Sequence, residues 1–419
     1  MWSVLVAISS FSLLEGGTTN TWTGAVNSQL DLSGNWNPDE PEQPPSAGDQ
    51  AVFGAEATSF LPSLNDGNTF GLYEALFTSP SATYAFQIDG TSVLVFGLSG
   101  DTQRELVSGV TNEVVISAQQ SFTVEGNGTI VFYGFSTAAQ NDTIDMMYLV
   151  GRSTSGALQF QDQASAGFGR FIIGDWTDAS IVDFYDSSTA KDSSISIGLN
   201  GVGSGRVNFQ DEATAGEATI NVGDVDSSTA NFGIVHFYNA STAGTCTLNV
   251  GDSQGDSTVN FHDIATAGSS TINVNGTSTT NPTTGTINFY DQSTAGNTQI
   301  IVGDVTTNTN SSGVLNFYNA STAGSSHISV GDHLGDSNIH FYSDSDVVFS
   351  TAGASNITVG TTSTQTKDLD GTLTFHGYST AGQSTIVVSD ENARSYLYFK
   401  NYSNAGSSSI TLGNSEVGL

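Results

Sequence analysis

Carboxylates and amides recur in this chain at fixed places, and their spacing narrows the chemistry open to it. One set lies two residues after a phenylalanine: Asp162, Asp186, Asp211, Asn239, Asp263, Asp291 and Asn319. A second set follows glycine, at Asp175, Asp224, Asp252, Asp304 and Asp332. Stacked one per coil, about 5 Å apart, such carboxylates repel unless cations or hydrogen bonds intervene. Asp224, Asp252, Asp304 and Asp332 are therefore a candidate Ca2+ ladder. The simpler reading is that Asp and Asn cap turns through their side-chain oxygens, with Asn interspersed to dilute the charge. The glycine-rich calcium nonapeptide G-G-x-G-x-D is absent.

Hydrolysis is the rival chemistry. Inverting cleavage of a polysaccharide needs two carboxylates roughly 6.5–9.5 Å apart, which a ladder supplies easily. Against it, Arg104, Arg152, Arg170, Arg206 and Arg394 are scattered and offer no cluster for an anionic sugar. His236, His262, His327, His333, His340 and His376 mostly fill ordinary repeat slots and read as exposed strand positions. No catalytic residue is assigned on this basis. Cys246 is the one cysteine, so disulfides and thiolate metal sites are excluded, and the thiol reads as a small buried filler.

The elements that would position these groups follow from the repeats. Gly285–Gly303 (GTINFYDQSTAGNTQIIVG) recurs with few changes at Gly313–Gly331 and Gly233–Gly251. One ladder runs Phe132, Phe160, Phe184, Phe209, Phe237, Phe261, Phe289, Phe317, Phe341, Phe375 and Phe399, mostly 24–28 residues apart. An apolar residue precedes most of them by two, as Val235, Ile287 and Leu373 do. A second ladder pairs Ile220 with Val222, Ile300 with Val302 and Ile386 with Val388. Spacing by two puts both members on one strand face.

A coil with two such strands cannot bury itself, whereas stacked coils bury a continuous core. The expectation is an all-β chain: a right-handed parallel β-helix, or β-solenoid, of about 24–28 residues per coil with an N-terminal cap. Within Ser-Thr-Ala-Gly, alanine should face inward at a tight corner and glycine should supply a positive φ or a close approach. The stretches after Val-Gly-Asp vary in length and should form loops along one edge. The longest interval, Phe341 to Phe375, holds an insertion at Asp344–Val348.

Three segments result. Residues 1–60 are an N-terminal strand and cap, with Trp22 and Trp36 plugging the core and an acidic Pro-rich loop at Pro38–Pro45. Residues 61–125 are irregular coils, with strands at Thr83–Ile88, Ser92–Leu98, Glu113–Ile116 and Ser121–Val124. Residues 126–419 are the regular solenoid. Met1–Leu14 is apolar but too short to cross a bilayer, and it lacks a basic start and a small-x-small cleavage site. It reads as a truncated signal remnant, a first strand capping the solenoid or a strand donated to a neighbour, a folded strand being favoured. No transmembrane segment is expected.

Composition sets the partner classes. With 8 Lys plus Arg against 41 Asp plus Glu, a formal charge of -33 argues against nucleic acid and anionic lipid, which need clustered basic groups. The scarcity of Cys and Lys beside abundant Ser, Thr, Asn and Gly fits an exported protein.

The opening TWTGAV…LSGNWNP…GDQAVF, the segment ATYAFQIDGTSVLVFGLSGD and the F-x-[DN]-x-STAG-x-x-x-I repeat together resemble autotransporter passenger regions with STAG-type strand repeats. The likeness covers roughly residues 18–409. It implies a secreted or bacterial surface-displayed β-solenoid and brings no catalytic residues. The chain departs from the family at its carboxyl end, where no amphipathic series resembling an outer-membrane barrel follows Ile410–Leu412.

The functional expectation is a non-enzymatic extracellular structural or adhesive rod. It would form a homo-oligomer or filament through its ends and Met1–Leu14, with no cofactor unless the Asp ladder takes Ca2+. The alternatives are a surface module that binds carbohydrate or a host protein and, less favoured, a polysaccharide-active enzyme.

Overall fold

The computed structural model describes residues 19–37, 50–53, 57, 61–64, 67–72, 74–77, 85–88, 91–96, 120–124, 126–140, 146–151, 155–174, 180–198, 204–223, 232–251, 257–274, 284–303, 312–331, 337–360, 370–388 and 394–413. Met1–Leu14, the strand expected at Glu113–Ile116, the Pro-rich loop and the variable stretches after Val-Gly-Asp lie outside them.

Alternating burial makes strands of the repeat segments, and repetition stacks them. The result is an all-β parallel solenoid whose wall is a 13-stranded sheet and a 14-stranded sheet, each joining every second strand. The 13-stranded sheet carries the phenylalanines and is called the Phe sheet here. Its strands run from Thr69–Leu72 to Arg394–Phe399. The second sheet runs from Ser63–Leu64 to Ser409–Leu412. Like pairs with like throughout: Phe237 opposes Phe261 and Phe261 opposes Phe289, while Leu248 opposes Ile272 and Ile272 opposes Ile300. A one-residue slip would turn every inward side chain outward, so the apolar alternation fixes this register.

Parallel in-register pairing dictates the core. Strands about 4.8 Å apart place equivalent rings at nearly that separation, which is close to the optimum for offset stacking. Twelve phenylalanines from Phe96 to Phe399 form one unbroken stack with centroids 4.6–5.1 Å apart. The facing column of the second sheet is also aromatic at first, running Phe86, Phe122, Tyr148 and Phe171. From Ile195 onward it is aliphatic. Where both columns are aromatic, rings from opposite sheets meet edge to face, as in Phe96–Phe122 (5.9 Å, 88°) and Phe160–Phe171 (6.0 Å, 84°). The Tyr148 hydroxyl is buried and donates to the Ala138 carbonyl at 2.8 Å, which satisfies the one polar group in that column.

A third line of contact runs through the Ser-Thr-Ala-Gly corner. Its threonines form single-residue parallel bridges from Thr189 through Thr214, Thr242 and Thr266 to Thr380. Each threonine oxygen accepts the N–H two residues on, from Lys191 at Thr189 and from glycine at the others, as at 3.0 Å in Thr266–Gly268. Alanine is fully buried at the corner, as at Ala243, Ala267 and Ala295. Gly268 has φ +67°, and a Cβ there would lie 2.5 Å from the Gly244 carbonyl oxygen of the coil before. At Gly268 both the left-handed backbone and the close approach favour glycine, whereas Lys191 fills the same slot in an earlier coil at φ 51°. The serine slot beside it does not depend on its hydroxyl, although Ser293 and Ser350 there donate to the Tyr290 and Tyr342 carbonyls. Ser188, Ser241, Ser321 and Ser379 are buried with no hydroxyl partner among the described residues, and Ala164, Ala213 and Ala265 take the same place.

At the N-terminal end a small four-stranded sheet joins Trp36–Asn37, Thr19–Trp22, Gln50–Phe53 and Glu74–Phe77. Trp22, Trp36 and Phe53 are buried and pack edge to face (Trp22–Trp36 5.3 Å, Trp36–Phe53 5.6 Å). Trp36 continues onto Phe70 and Phe53 onto Phe86, so this cluster closes directly onto the core columns.

Candidate functional site

The Asx residues that follow the core phenylalanines form one ladder along the solenoid. Asp162, Asp186, Asp211, Asn239, Asp263, Asp291 and Asn319 all adopt φ between 55° and 58°. Asx side chains tolerate this left-handed backbone better than most residues. From Asp162 to Asp291, each side-chain oxygen accepts the N–H of the equivalent residue one coil earlier. Asp186 takes the Asp162 N–H (3.0 Å), Asp263 the Asn239 N–H (2.9 Å) and Asp291 the Asp263 N–H (3.2 Å). An amide oxygen serves as well as a carboxylate, and Asn239 accepts the Asp211 N–H at 3.3 Å. These acidic groups are spent on coil-to-coil hydrogen bonds. The Ca2+ candidates Asp224, Asp252, Asp304 and Asp332, with Asp175, lie outside the described residues.

The outer face of the Phe sheet carries two further columns, which strand alternation places one residue before and one residue after each core phenylalanine. The first holds Asp183, Asn208, His236, Asn260, Asn288, Asn316 and His340. Asn208 donates to Asp183 at 2.7 Å, Asn288 to Asn260 at 2.9 Å and Asn316 to Asn288 at 2.9 Å. Burial raises the Asp183 pKa, and the hydrogen bonds from Asn208 and Tyr185, with the Arg206 charge, hold it partly down. The second sheet repeats the device on its own outer face, where Asn273 donates to Asn249 and Asn249 to Asn221, both at 2.8 Å.

The column after the phenylalanines is aromatic. Tyr238, His262, Tyr290, Tyr318, Tyr342 and His376 stack ring on ring, with centroids 4.6–5.0 Å apart. Their faces cover one another, so the stripe shows solvent its ring edges, hydroxyls and ring nitrogens. A platform for stacking sugar rings needs free faces, and this stripe lacks them. Burial, then the neighbouring Tyr290 and Tyr342, pushes the Tyr318 hydroxyl up to about 12.

Four histidines fall in these two columns, and sequence reading left them as separate exposed positions. They meet in pairs. His236 Nδ1 lies 3.4 Å from His262 Nε2, and His340 Nδ1 lies 3.3 Å from His376 Nε2. Burial lowers His236 to about 4, with smaller contributions from His262 and Arg206. Burial likewise lowers His340 to about 4, helped by His376 and Lys400. All four imidazoles are therefore neutral near pH 7. The signal was in the sequence: in each pair, one histidine precedes its phenylalanine and the other follows the next phenylalanine. His327 instead meets Asn356 at 3.2 Å, and His333 lies outside the described residues. No group of three or more His, Cys, Asp or Glu suited to a metal occurs among the described residues.

Two other features complete the surface. The insertion after Tyr342 exposes Val347 (80%), Val348 and Phe349 at the corner edge, and Tyr402 (71%) is exposed on a later coil, stacked on Tyr378. Cys246 is buried between coils in a slot that Ala218 and Ser270 fill elsewhere, and burial pushes its thiol up to about 12, which makes it inert. No described helix is long and apolar enough to cross a membrane. Comparison of the chain with family models, with curated proteins and with solved structures finds no match.

Proposed function

We propose that this chain is a non-enzymatic extracellular rod, structural or adhesive in role, of the passenger-like kind its STAG repeats resemble. The observation that carries the reading is where its polar side chains go. The Asx residues after phenylalanine, the outer asparagines and the corner threonines bond along the axis, coil to coil or within the corner. A groove enzyme would aim such groups at a substrate, whereas here they reinforce length.

In this reading the rods assemble end to end into a filament, because every rung pairs in register with a like rung. An apolar rung with an open strand edge is completed by another rung of the same kind. The test is electron microscopy with sedimentation across a concentration series. Rods that lengthen with concentration support the filament. Monodisperse rods at every concentration eliminate it.

The exposed Val347–Phe349 edge favours a second reading, a surface adhesin that grips carbohydrate or a host protein. Retained binding to host cells after Val347→Asp would remove that edge from consideration. Turnover of an acidic polysaccharide, lost on Asp-to-Asn change in one groove, would overturn the non-enzymatic reading. Unchanged melting in excess chelator would eliminate a structural Ca2+ ladder.

A further inference from the structure

We infer that His236 with His262, and His340 with His376, form two bis-imidazole sites for a late first-row divalent cation of the copper, nickel or zinc type. The geometry carries the argument. Two nitrogens bound to one tetrahedral ion at about 2.0–2.1 Å stand roughly 3.3–3.4 Å apart. The observed separations are 3.4 and 3.3 Å. The same atoms meet in both places, Nδ1 of the earlier histidine and Nε2 of the later. One structural rule therefore builds the site twice.

The rings are held in place before any ion arrives. His262 is sandwiched by Tyr238 (4.8 Å) and Tyr290 (5.0 Å), and His376 lies 4.6 Å from Tyr342. Fixed ligands lose little freedom on binding. Both imidazoles in a pair can present lone pairs if each carries its proton on the far nitrogen, a tautomer change that releases no net proton. Imidazole suits copper, nickel and zinc; the separation is that of a tetrahedral ion such as Zn2+, while Cu2+, higher in the affinity order, binds after a small closing of the pair toward tetragonal positions and serves as the spectroscopic probe. Water fills the remaining positions, so each site is weaker than a four-ligand structural site and stays open to an external ligand.

The two sites differ in their field. The Asp263 and Asp291 charges act on His262, with Arg206 acting on His236. Lys400 acts on both His340 and His376. The His236–His262 site should therefore bind the tighter of two ions. Counting coils from Phe237 to Phe341, the sites are about 20 Å apart along the axis.

The experiment uses the intact wild-type chain and Cu2+ alone. Expected are two Cu2+ per chain, electron paramagnetic resonance couplings to imidazole nitrogen, and a Cu–Cu dipolar distance near 20 Å. His262→Gln and His376→Gln should each remove one ion and abolish the distance peak, and His327→Gln should change neither. Spectra with oxygen ligands only, no peak near 20 Å in wild-type protein, or a peak that survives the double His262→Gln, His376→Gln change would each overturn the assignment. The wild-type spectra decide the matter even if a variant fails to fold.

Discussion

The first coils and the later ones solve the same packing problem in two ways. Between Phe86 and Phe171 both core columns are aromatic, and opposed rings lock edge to face. From Ile195 onward one column stays phenylalanine and the other is branched aliphatic. The change occurs in a single step, Phe171 to Ile195, because a stack rewards like over like and gains nothing from alternation. The outer columns obey no such rule. Asn, Asp, His and Tyr exchange freely there, since each needs only a partner one coil away. The interior therefore preserves shape, and the exterior is where rungs can differ.

Ring deletion should give the largest effects and tests whether the lateral contacts matter. Phe261→Ala removes a ring stacked on Phe237 and Phe289, at a cost of about 3–5 kcal/mol. Phe122→Ala also removes the edge contact to Phe96 and should lie at the top of that range. Denaturant unfolding followed coil by coil through hydrogen exchange measures both, since solenoids unfold in segments. Equal costs would show that the lateral ring contacts add nothing.

The corner should respond next. Gly268→Ala meets both a φ of +67° and the Gly244 carbonyl, and should cost about 2 kcal/mol or more. The converse change lies at Lys191, which holds the same slot at φ 51° with its ammonium 5.5 Å from the Phe168 ring. Lys191→Gly should stabilise by up to about 1 kcal/mol, reduced by whatever that ring contact contributes. Thermal melts of the pair give opposite signs if backbone conformation governs the corner.

On the exterior, Asp263→Ala should cost about 2 kcal/mol, from the lost bond to the Asn239 N–H and from alanine at φ 55°. Asp263→Asn should be nearly neutral, as Asn239 and Asn319 already show the amide in this slot. A large loss for the amide would mean that charge at this position matters.

The smallest effect is a pH slope confined to the later coils. Folding lowers the His236 and His340 pKa from 6.5 to about 4, so between those values the unfolded chain binds more protons. The stability these histidines contribute is full above pH 6.5 and is lost as pH falls through 4. Melting in chelator should show that slope in hydrogen exchange around 234–262 and 338–377, but not around 121–173. His236→Gln with His340→Gln should flatten it.

The sequence by itself determined the coil. Period-two alternation named the inward Phe, Ile and Val, and Ser-Thr-Ala-Gly told which residue turns the corner, because those properties are local to one strand or one turn. The same reading began the phenylalanine column at Phe132 and missed Phe96, because the earlier coils lack the STAG corner that announces the register. It also missed the aromatic second column at Phe86, Phe122, Tyr148 and Phe171. The outer ladders were legible as recurring Asp and Asn but not as bonds, since a side chain's partner belongs to the next coil, 24–28 residues away. Only the tertiary register decided that the Asx oxygens bind backbone N–H groups, that tyrosines cover each other's faces, and that four scattered histidines are two pairs. A lateral offset of two residues between adjacent coils is invisible along the chain, yet it sets which nitrogen faces which.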